Sequence, residues 1–461
     1  MKIAVLGGGP GGYVAALKAA QLGAQVTVIE SSEVGGTCLN WGCIPTKALL
    51  ASAEALHKAK NLSDFGIELN GSVTPNLSMI MERKNKVVST QVKGIRALFK
   101  NWGVELIEGR GRLTGPASLE VEKKDGSTAT IAADKIIIAT GSRPAELPAF
   151  KFDGKNILSS NEALTITDIP KSMLIIGAGV IGCEFACIYN EFGTDVTMVE
   201  MMPRAVSTED EEISELLAKK LKKKKIKLLT GVGVAKVEKT PDGMHAYLSD
   251  GKEMAAEKIL VSIGRALNSD NIGLDSVGIN RGKRGEIIVD NRMETNIKGV
   301  YAVGDVIGGM LLAHIASTEG IVAAKNICGR DATMDYSVVP AAIFTSPEIG
   351  SVGLRENQAA DKGIKTRIGR FQFRALGKAH AIGEISGFVK IIADAGTDSI
   401  LGAHIIGPHA SDLVHEAAVA MKAGLKARDI AATIHAHPTL SEGLLEASED
   451  VHGDSVHVPK K

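Results

Sequence analysis

The chain has 461 residues, 53 basic and 53 acidic side chains, and 4% aromatic residues. Its length predicts about three domains of roughly 150 residues each. A formal net charge of zero provides no overall attraction to nucleic acid or to a membrane surface. No apolar run reaches the roughly 18 residues of a membrane span, and because no leader-like segment follows Met1 we expect a cytoplasmic protein.

The N-terminal segment has the pattern of a dinucleotide-binding βαβ unit. We expect a strand over Lys2–Leu6, a helix over residues 13–22 and a strand over 25–30 that ends on Glu30. Glycines in this context allow a tight turn and bring a pyrophosphate close to a helix N-terminus, and the terminal acid can bind a ribose hydroxyl. The turn between the first strand and the helix contains the G-x-G-x-x-G glycines Gly7, Gly9 and Gly12.

Two cysteines, Cys38 and Cys43, are separated by four residues and flanked by glycines. A helix expected over residues 44–56 places Cys43 near the positive end of its dipole, which favours the thiolate. Cys38 is within disulfide reach if the chain turns at Gly42. A pair of ordinary buried cysteines is the alternative. A zinc site would need a second cysteine pair at ligand spacing, so we expect no metal. The remaining cysteines do not form such a pair: Cys183, Cys187 and Cys328.

A second copy of the βαβ pattern begins at Ser172. We expect a strand over 172–176, a helix over 181–192 and a strand over 195–200 that ends on Glu200. Two complete copies indicate two dinucleotides or an internal duplication. The glycines of the second motif are Gly177, Gly179 and Gly182.

The chain changes character after about Tyr336, where strands and helices occur without a glycine motif. We expect an α+β unit with no nucleotide of its own, followed by a polar, loosely held tail from Ser448. Seven lysines lie between Lys219 and Lys227. We interpret them as a solvated helix end in preference to a nucleic-acid site.

The segment from Gly35 to Lys47 (Gly-Gly-Thr-Cys-Leu-Asn-Trp-Gly-Cys-Ile-Pro-Thr-Lys) resembles the redox-disulfide motif of the pyridine nucleotide-disulfide oxidoreductases. The two glycine motifs, the Ala-Thr-Gly at 139–141 and the Tyr-Ala-Val-Gly-Asp at 301–305 follow that family's order. The His-Ala-His-Pro-Thr-Leu-Ser-Glu at 435–442 has the form typical of the family's dihydrolipoamide dehydrogenases. The resemblance covers residues 3 to about 445.

The resemblance implies an α/β fold with two Rossmann-like dinucleotide-binding domains and a C-terminal α+β dimerisation domain. The implied boundaries are an FAD-binding domain at 1–143, an NAD-binding domain at 144–267, a central segment completing the FAD site at 268–336 and an interface domain at 337–461. The implied cofactor-binding residues are Gly7, Gly9, Gly12, Glu30, Lys47, Thr140, Gly141, Asp305, Ala313 and His314 for FAD, and Gly177, Gly179, Gly182, Glu200 and Gly264 for NAD.

The resemblance also implies roles in catalysis. Cys43 would face the flavin, Cys38 would exchange with substrate, and Lys47 and Glu184 would pair beside the flavin. A histidine with a carboxylate five residues later is a plausible base and orienter. His435 is a rival base, and the family's motif selects His437.

His437, oriented by Glu442, would act as acid and base on the disulfide of the other subunit. Trp41 departs from the smaller residue of many relatives, and this departure bears on substrate access.

The implied reaction is oxidation of protein-bound dihydrolipoamide to lipoamide with reduction of NAD. The implied partners are a second copy of the chain and the lipoyl domains of a 2-oxoacid dehydrogenase or glycine cleavage complex, with no nucleic acid and no membrane. A glutathione-type reductase using NADPH remains an alternative through Arg204, although Glu200 would repel a 2′-phosphate. A mercuric reductase would be expected to have a C-terminal cysteine pair, and no cysteine follows Cys328. A docking or structural flavoprotein subunit is the alternative outside catalysis.

Overall fold

The computed structural model describes residues 1–241 and 243–459. Residues 242, 460 and 461, which belong to the expected NAD-binding and interface domains, lie outside the described residues. Parallel sheets flanked by helices precede an antiparallel sheet near the C-terminus, which confirms the predicted fold class. Among the described helices, none is both long and apolar enough to cross a membrane.

The first sheet brings together strands from distant parts of the chain. Its neighbours pair in parallel as far as strand 105–115, and the last two strands add antiparallel. In spatial order the strands are Val300–Ala302, Lys135–Ile138, Lys2–Leu6, Gln25–Glu30, Glu105–Gly115, Ser118–Lys123 and Thr128–Ala132. Strand 300–302 therefore completes a sheet that the N-terminal residues begin.

The second sheet repeats this arrangement with parallel pairing throughout. Its strands, in spatial order, are Lys227–Thr230, Asp195–Glu200, Ser172–Ile176, Lys258–Val261 and Ile157–Leu158. Between the second sheet's strands 227–230 and 258–261, the chain forms a separate antiparallel sheet of Val234–Thr240, Gly243–Leu248 and Glu253–Ala256. Two short strands pair antiparallel, Ser142–Pro144 and Arg265–Leu267. The former follows the first sheet's strand 135–138 and the latter follows the second sheet's strand 258–261, so this pair connects the two sheets.

The C-terminal sheet is antiparallel. Its strands, in spatial order, are Ala341–Ile343, Glu348–Gly353, Ile400–Gly407, Phe388–Asp394 and Thr366–Gln372. Their inward side chains form an apolar core with the helices that follow, so this part of the chain has a core of its own.

Helices cover the faces of these sheets. Those of the N-terminal half are Pro10–Gln21, Gly36–Trp41, Cys43–Lys60, Leu77–Trp102, Ser160–Ala163, Val180–Phe192 and Glu211–Lys223. Those that follow are Leu274–Val277, Ala313–Ile327, Glu356–Asp361, Gly377–Ala381, Ala410–Lys422, Ala427–Ala432 and Glu442–Asp450. Short 3₁₀ turns occupy Leu62–Phe65, Gly304–Ile307 and Phe373–Ala375.

The first helix starts at Pro10 and not at the predicted Tyr13. Proline suits the first helical position because its missing N–H would have no partner there. Gly11 and Gly12, in the first turn of this helix, have low helix propensity, but close packing requires glycine at such positions. A Cβ at Gly320, in helix 313–327, would lie 2.4 Å from the Gly11 carbonyl oxygen, so the two helices pack closely.

The expectation of a loose tail from Ser448 is wrong. Helix Glu442–Asp450 includes Ser448, which is fully buried. A Cβ at Gly369 would lie 1.9 Å from the Ala447 carbonyl oxygen. The helix therefore lies tightly on strand 366–372, a contact that its polar composition does not reveal.

Candidate active site

The glycines of the first motif have different structural tasks. Gly7 has φ = 106°, and a Cβ there would lie 2.3 Å from the Ala139 carbonyl oxygen. A Cβ at Gly12 would lie 1.9 Å from the Gly7 carbonyl oxygen. At Gly9 the nearest atom to such a Cβ, in Gly36, is 3.8 Å away. Gly7 and Gly12 thus allow the close turn, whereas Gly9 leaves open space in front of the helix.

The second motif repeats this geometry. Gly177 has φ = 100°, and a Cβ there would lie 2.5 Å from the Ser262 carbonyl oxygen. A Cβ at Gly182 would lie 2.1 Å from the Gly177 carbonyl oxygen, while at Gly179 no described atom lies within 4 Å. Gly264, with φ = 130°, follows strand 258–261 and is similarly open. The second motif therefore has the same turn and the same open approach.

An acidic residue ends the second strand of each βαβ unit, and its carboxylate accepts hydrogen bonds from the backbone of the glycine turn of the same unit. Glu30 accepts hydrogen bonds from the backbone N–H of Gly8 and of Ser32, each at 2.7 Å. Glu200 accepts from the N–H of Ala178 at 2.6 Å and of Met202 at 2.8 Å. Each carboxylate is thereby held beside a helix N-terminus, where a ribose would bind.

The redox motif forms two consecutive helices around Gly42. Cys38 lies in helix Gly36–Trp41, and Cys43 is the first residue of helix Cys43–Lys60. Cys43 is thus at the N-terminal end of its helix, where the sequence predicted it. A Cβ at Gly42 would lie 2.9 Å from the Thr37 carbonyl oxygen, so the tight reversal requires glycine. Both cysteines are free thiols.

The two thiols interact directly and differ in acidity. The pKa of Cys43 is lowered to about 7, first by the hydrogen bond from Cys38 and also by the charge of Lys47, although burial and the charge of Glu184 raise it. The same hydrogen bond and burial raise the pKa of Cys38. In the reduced pair the thiolate therefore belongs to Cys43.

Lys47 and Glu184 come from helices Cys43–Lys60 and Val180–Phe192 and form an ion pair. Lys47 Nζ lies 2.9 Å from each carboxylate oxygen of Glu184. The Glu184 side chain is 5% exposed and that of Lys47 is 30% exposed. The pair joins the redox helix to helix 180–192 of the second motif.

The remaining predicted residues for FAD lie on turns and at a helix start around the same space. Thr140 Oγ1 donates to the Asn268 carbonyl oxygen at 2.7 Å, and Gly141 has φ = 71°. Asp305 accepts a short hydrogen bond from Ser142 Oγ. Ala313 begins helix 313–327, and His314 Nε2 donates to the Pro340 carbonyl oxygen at 2.8 Å. Burial lowers the pKa of His314.

These residues surround one cavity of about 980 Å³. The predicted residues on its wall are Gly7, Gly9, Glu30, Cys38, Cys43, Lys47, Thr140, Gly141, Glu184, Asp305, Ala313 and His314. Trp41 is also on the wall. Gly12 and the second motif's Gly177, Gly179, Gly182, Glu200 and Gly264 are not among the lining residues.

The cavity suits a large dinucleotide. Its volume is at the upper end of the roughly 300–1,000 Å³ of ligand pockets. Gly9 provides no side-chain cap for helix 10–21, which leaves first-turn N–H groups for an anion. The open space at Gly9 and the paired oxygens of Glu30 fit the pyrophosphate and ribose of FAD. In the described part of the chain, no group of three or more His, Cys, Asp or Glu is arranged to hold a metal.

Two residues that line the cavity were not predicted as site residues from the sequence: Arg265 and Phe344. Arg265 lines the cavity, donates through Nε to Ser142 Oγ at 2.6 Å and lies 3.7 Å from Asp305. Its position just beyond the carboxyl end of strand 258–261, where such sheets bind ligands, was an available signal. Phe344 contacts both Lys47 and Glu184. No motif or periodic pattern near Phe344 in the sequence indicates this contact.

His437 and Glu442 do not line this cavity. His437 Nδ1 is 2.8 Å from Glu442 Oε1, and the His437 side chain is 76% exposed. Burial would raise the pKa of Glu442, but the N–H of Thr439 and the His437 ring lower it. His435 instead bonds Glu416, with Nε2 at 2.7 Å from Oε1, and its side chain is 6% exposed. Within one chain, His437 is therefore not among the residues that line the cavity with Cys38 and Cys43.

Comparison with known proteins gives full-length matches. A family model described as pyridine nucleotide-disulphide oxidoreductase matches residues 1–320, and that family's dimerisation domain matches residues 339–448. A dihydrolipoyl dehydrogenase of Bacillus subtilis is 43% identical over 99% of this chain and 98% of its own length.

Solved structures match over the same extent. The crystal structure of LpdA from Mycobacterium tuberculosis has a TM-score of 0.92 at 30% identity, covering 97% of this chain and 99% of LpdA. The HOCl-induced flavoprotein disulfide reductase RclA of Escherichia coli has a TM-score of 0.86 at 25% identity, covering 96% and 98%. The dimerisation-domain match supports a homodimer.

Proposed function

The chain belongs to the pyridine nucleotide-disulphide oxidoreductase family, and from this premise we propose that it oxidises protein-bound dihydrolipoamide to lipoamide and reduces NAD⁺ to NADH. It is an oxidoreductase of a family that uses FAD and NAD. The observation that carries the proposal is the Cys38–Cys43 pair on the wall of a dinucleotide-sized cavity, next to the Lys47–Glu184 ion pair. Full-length similarity to a dihydrolipoyl dehydrogenase supports the choice of substrate.

The proposed arrangement follows the two sheets. Residues 1–143 and 268–336 would hold FAD through the first motif, Glu30 and Asp305. Residues 144–267 would hold NAD through the second motif, Glu200 and Gly264. Residues 337–461 would form the two-fold interface and present His437 and Glu442 to the other subunit. The exposure of His437 supports this last assignment.

The protein's own residues account for the thiol chemistry. His437 removes a proton from one thiol of dihydrolipoamide, and the substrate thiolate attacks Sγ of Cys38 in the Cys38–Cys43 disulfide. This step forms a substrate–Cys38 bond and releases Cys43 as the thiolate. The second substrate thiol attacks the substrate sulfur of the mixed disulfide and breaks its bond to Cys38. The departing Cys38 sulfur takes up the proton of that thiol, while the first proton stays on His437. Lipoamide leaves, and the cysteine pair has gained two electrons and is reduced.

The remaining residues prepare the oxidative side. Bound FAD supplies the two-electron chemistry that links the Cys43 thiolate to NAD⁺. With a pKa of about 7, the sulfur of Cys43 is about half ionised at neutral pH and mostly anionic above it. Lys47 places a positive charge on the cavity wall, and Glu184 holds it there. Lipoyl domains of a 2-oxoacid dehydrogenase or glycine cleavage complex are the proposed source of the substrate.

The proposal is tested by comparing substrates of the purified enzyme. We expect dihydrolipoamide to drive NADH formation, and NADH oxidation to be fastest with lipoamide among lipoamide, glutathione disulfide and mercuric ion. Faster turnover with glutathione disulfide would assign the chain to the disulfide reductases, whose E. coli member RclA shares the fold. Faster turnover with mercuric ion would contradict the proposal in the same way.

A further inference from the structure

Phe344 contacts both members of the Lys47–Glu184 ion pair. Its ring centroid lies 4.4 Å from Lys47 Nζ, within cation–π range. Its backbone N–H donates to Glu184 Oε1 at 3.0 Å. One residue therefore provides a π face for the cation and a hydrogen bond for the counter-ion.

The three residues come from three parts of the fold. Lys47 belongs to the redox helix 43–60, Glu184 to helix 180–192, and Phe344 directly follows strand 341–343 of the C-terminal sheet. All three line the central cavity. The part of the chain that matches a dimerisation domain thus reaches the wall of the proposed flavin site.

The geometry points to Phe344 as a positioning residue that fixes the Lys47 ammonium against the flavin cavity. This inference rests on the proposed function, in which Lys47 acts beside the flavin. A lysine has a flexible four-carbon stem, so a single ion pair fixes its head group poorly. The aromatic face adds a second, directional contact, and the half-buried setting makes it stronger than at an exposed site.

The side chain of Phe344 can be tested separately from its backbone. Phe344→Leu removes the π face but keeps apolar bulk and the N–H that bonds Glu184. Phe344→Tyr keeps the ring. The matched control is Phe65→Leu, because Phe65 is 54% exposed on the 3₁₀ turn 62–65 and does not line the cavity.

The measurement is the rate of flavin reduction by NADH in a rapid-mixing experiment on the FAD-loaded enzyme. We expect Phe344→Leu to slow this step by about 2- to 30-fold, the range that one cation–π contact supplies. Phe344→Tyr and Phe65→Leu are expected to stay within about twofold of wild type. Bound FAD content and the thermal midpoint of each variant identify misfolding.

A double-mutant cycle with Lys47→Gln separates positioning from simple packing. If the ring acts through the ammonium, Phe344→Leu should slow flavin reduction in wild type but change it less than about twofold in the Lys47→Gln enzyme. An equal slowing in both backgrounds would overturn the inference, as would a wild-type rate in Phe344→Leu. Failure of the proposed function would appear differently, as the absence of dihydrolipoamide-driven NADH formation in wild type.

Discussion

Nδ1 of His437 lies 2.8 Å from Oε1 of Glu442, yet the His437 side chain is 76% exposed. The carboxylate is held in turn by the N–H of Thr439 at 2.8 Å. An oriented imidazole is the usual arrangement of a general base, with the second ring nitrogen available for proton transfer. Such a ring on an exposed surface is suited to a site completed by another subunit.

The assignment of the two thiols predicts a spectroscopic difference. Two-electron reduction of the FAD-loaded enzyme should produce a long-wavelength absorbance band from the Cys43 thiolate against oxidised flavin. Cys43→Ser should abolish the band while FAD stays bound, because the low pKa belongs to this thiol. Both variants lack the disulfide, so added electrons would go to the flavin and the variants are compared before reduction; Cys38→Ser, with Cys43 free to ionise, is the control and should show the band. A band that survives in Cys43→Ser would reverse the assignment.

The ion pair beside Cys43 predicts the pH dependence of that band. With a pKa of about 7, the thiolate persists above neutral pH and is lost as the pH falls through 7. Lys47 lowers and Glu184 raises this pKa. Lys47→Gln should therefore move the midpoint of the band to higher pH, and Glu184→Gln should move it to lower pH. Movement of both midpoints in one direction would contradict the electrostatic account.

Glu200 predicts the choice of nicotinamide cofactor. Its carboxylate is fixed by the N–H groups of Ala178 and Met202, where a 2′-phosphate would meet a negative charge. We expect kcat/KM for NAD⁺ to exceed that for NADP⁺ at least tenfold, which requires only ~1.4 kcal/mol. Glu200→Gln should narrow the ratio. Equal values in the wild-type enzyme would remove Glu200 from the account.

The buried Lys390 links strand 388–394 of the C-terminal sheet to the start of helix 211–223, and we predict that this link contributes to stability. Lys390 Nζ lies 3.0 Å from Asp210, 2.7 Å from Glu212 and 2.7 Å from Glu356, and its side chain is 2% exposed. Lys390→Met leaves the buried Asp210 carboxylate without its ion-pair partner, while Glu212 and Glu356 keep Arg370, and should destabilise the protein by about 3–5 kcal/mol. The loss is measured as a lower denaturant midpoint.

The control for this prediction is an exposed lysine. Lys252 pairs with Asp250 at 2.8 Å with its side chain 73% exposed, so Lys252→Met should cost less than about 1 kcal/mol. Equal shifts in the two variants would show that the buried cluster adds nothing beyond a surface pair.

The sequence predicted the buried parallel strands best. Strands 2–6, 25–30, 172–176 and 195–200 have the predicted bounds. Each is a short, largely apolar segment that ends in a glycine turn or on an acid, so local chemistry marks where the strand ends. The contacts of Glu30 and Glu200 with their own turns follow from the same spacing.

Features that depend on distant packing could not be predicted in this way. The C-terminal helix 442–450 is held by Gly369, far away in sequence, and its polar composition suggested a loose tail. Phe344 reaches Lys47 across almost 300 residues of sequence. Neither contact leaves a periodic pattern or a motif in the surrounding residues.

The most direct test of the account is a subunit-mixing experiment with Cys38→Ser and His437→Ala homodimers. Each homodimer should lose dihydrolipoamide turnover, because one lacks the exchanging thiol and the other the base. Random reassembly makes half of the dimers mixed, and each mixed dimer has one intact shared site, so activity should return to about a quarter of wild type. No recovery despite demonstrated mixed dimers would show that His437 acts within its own subunit and would contradict the shared site.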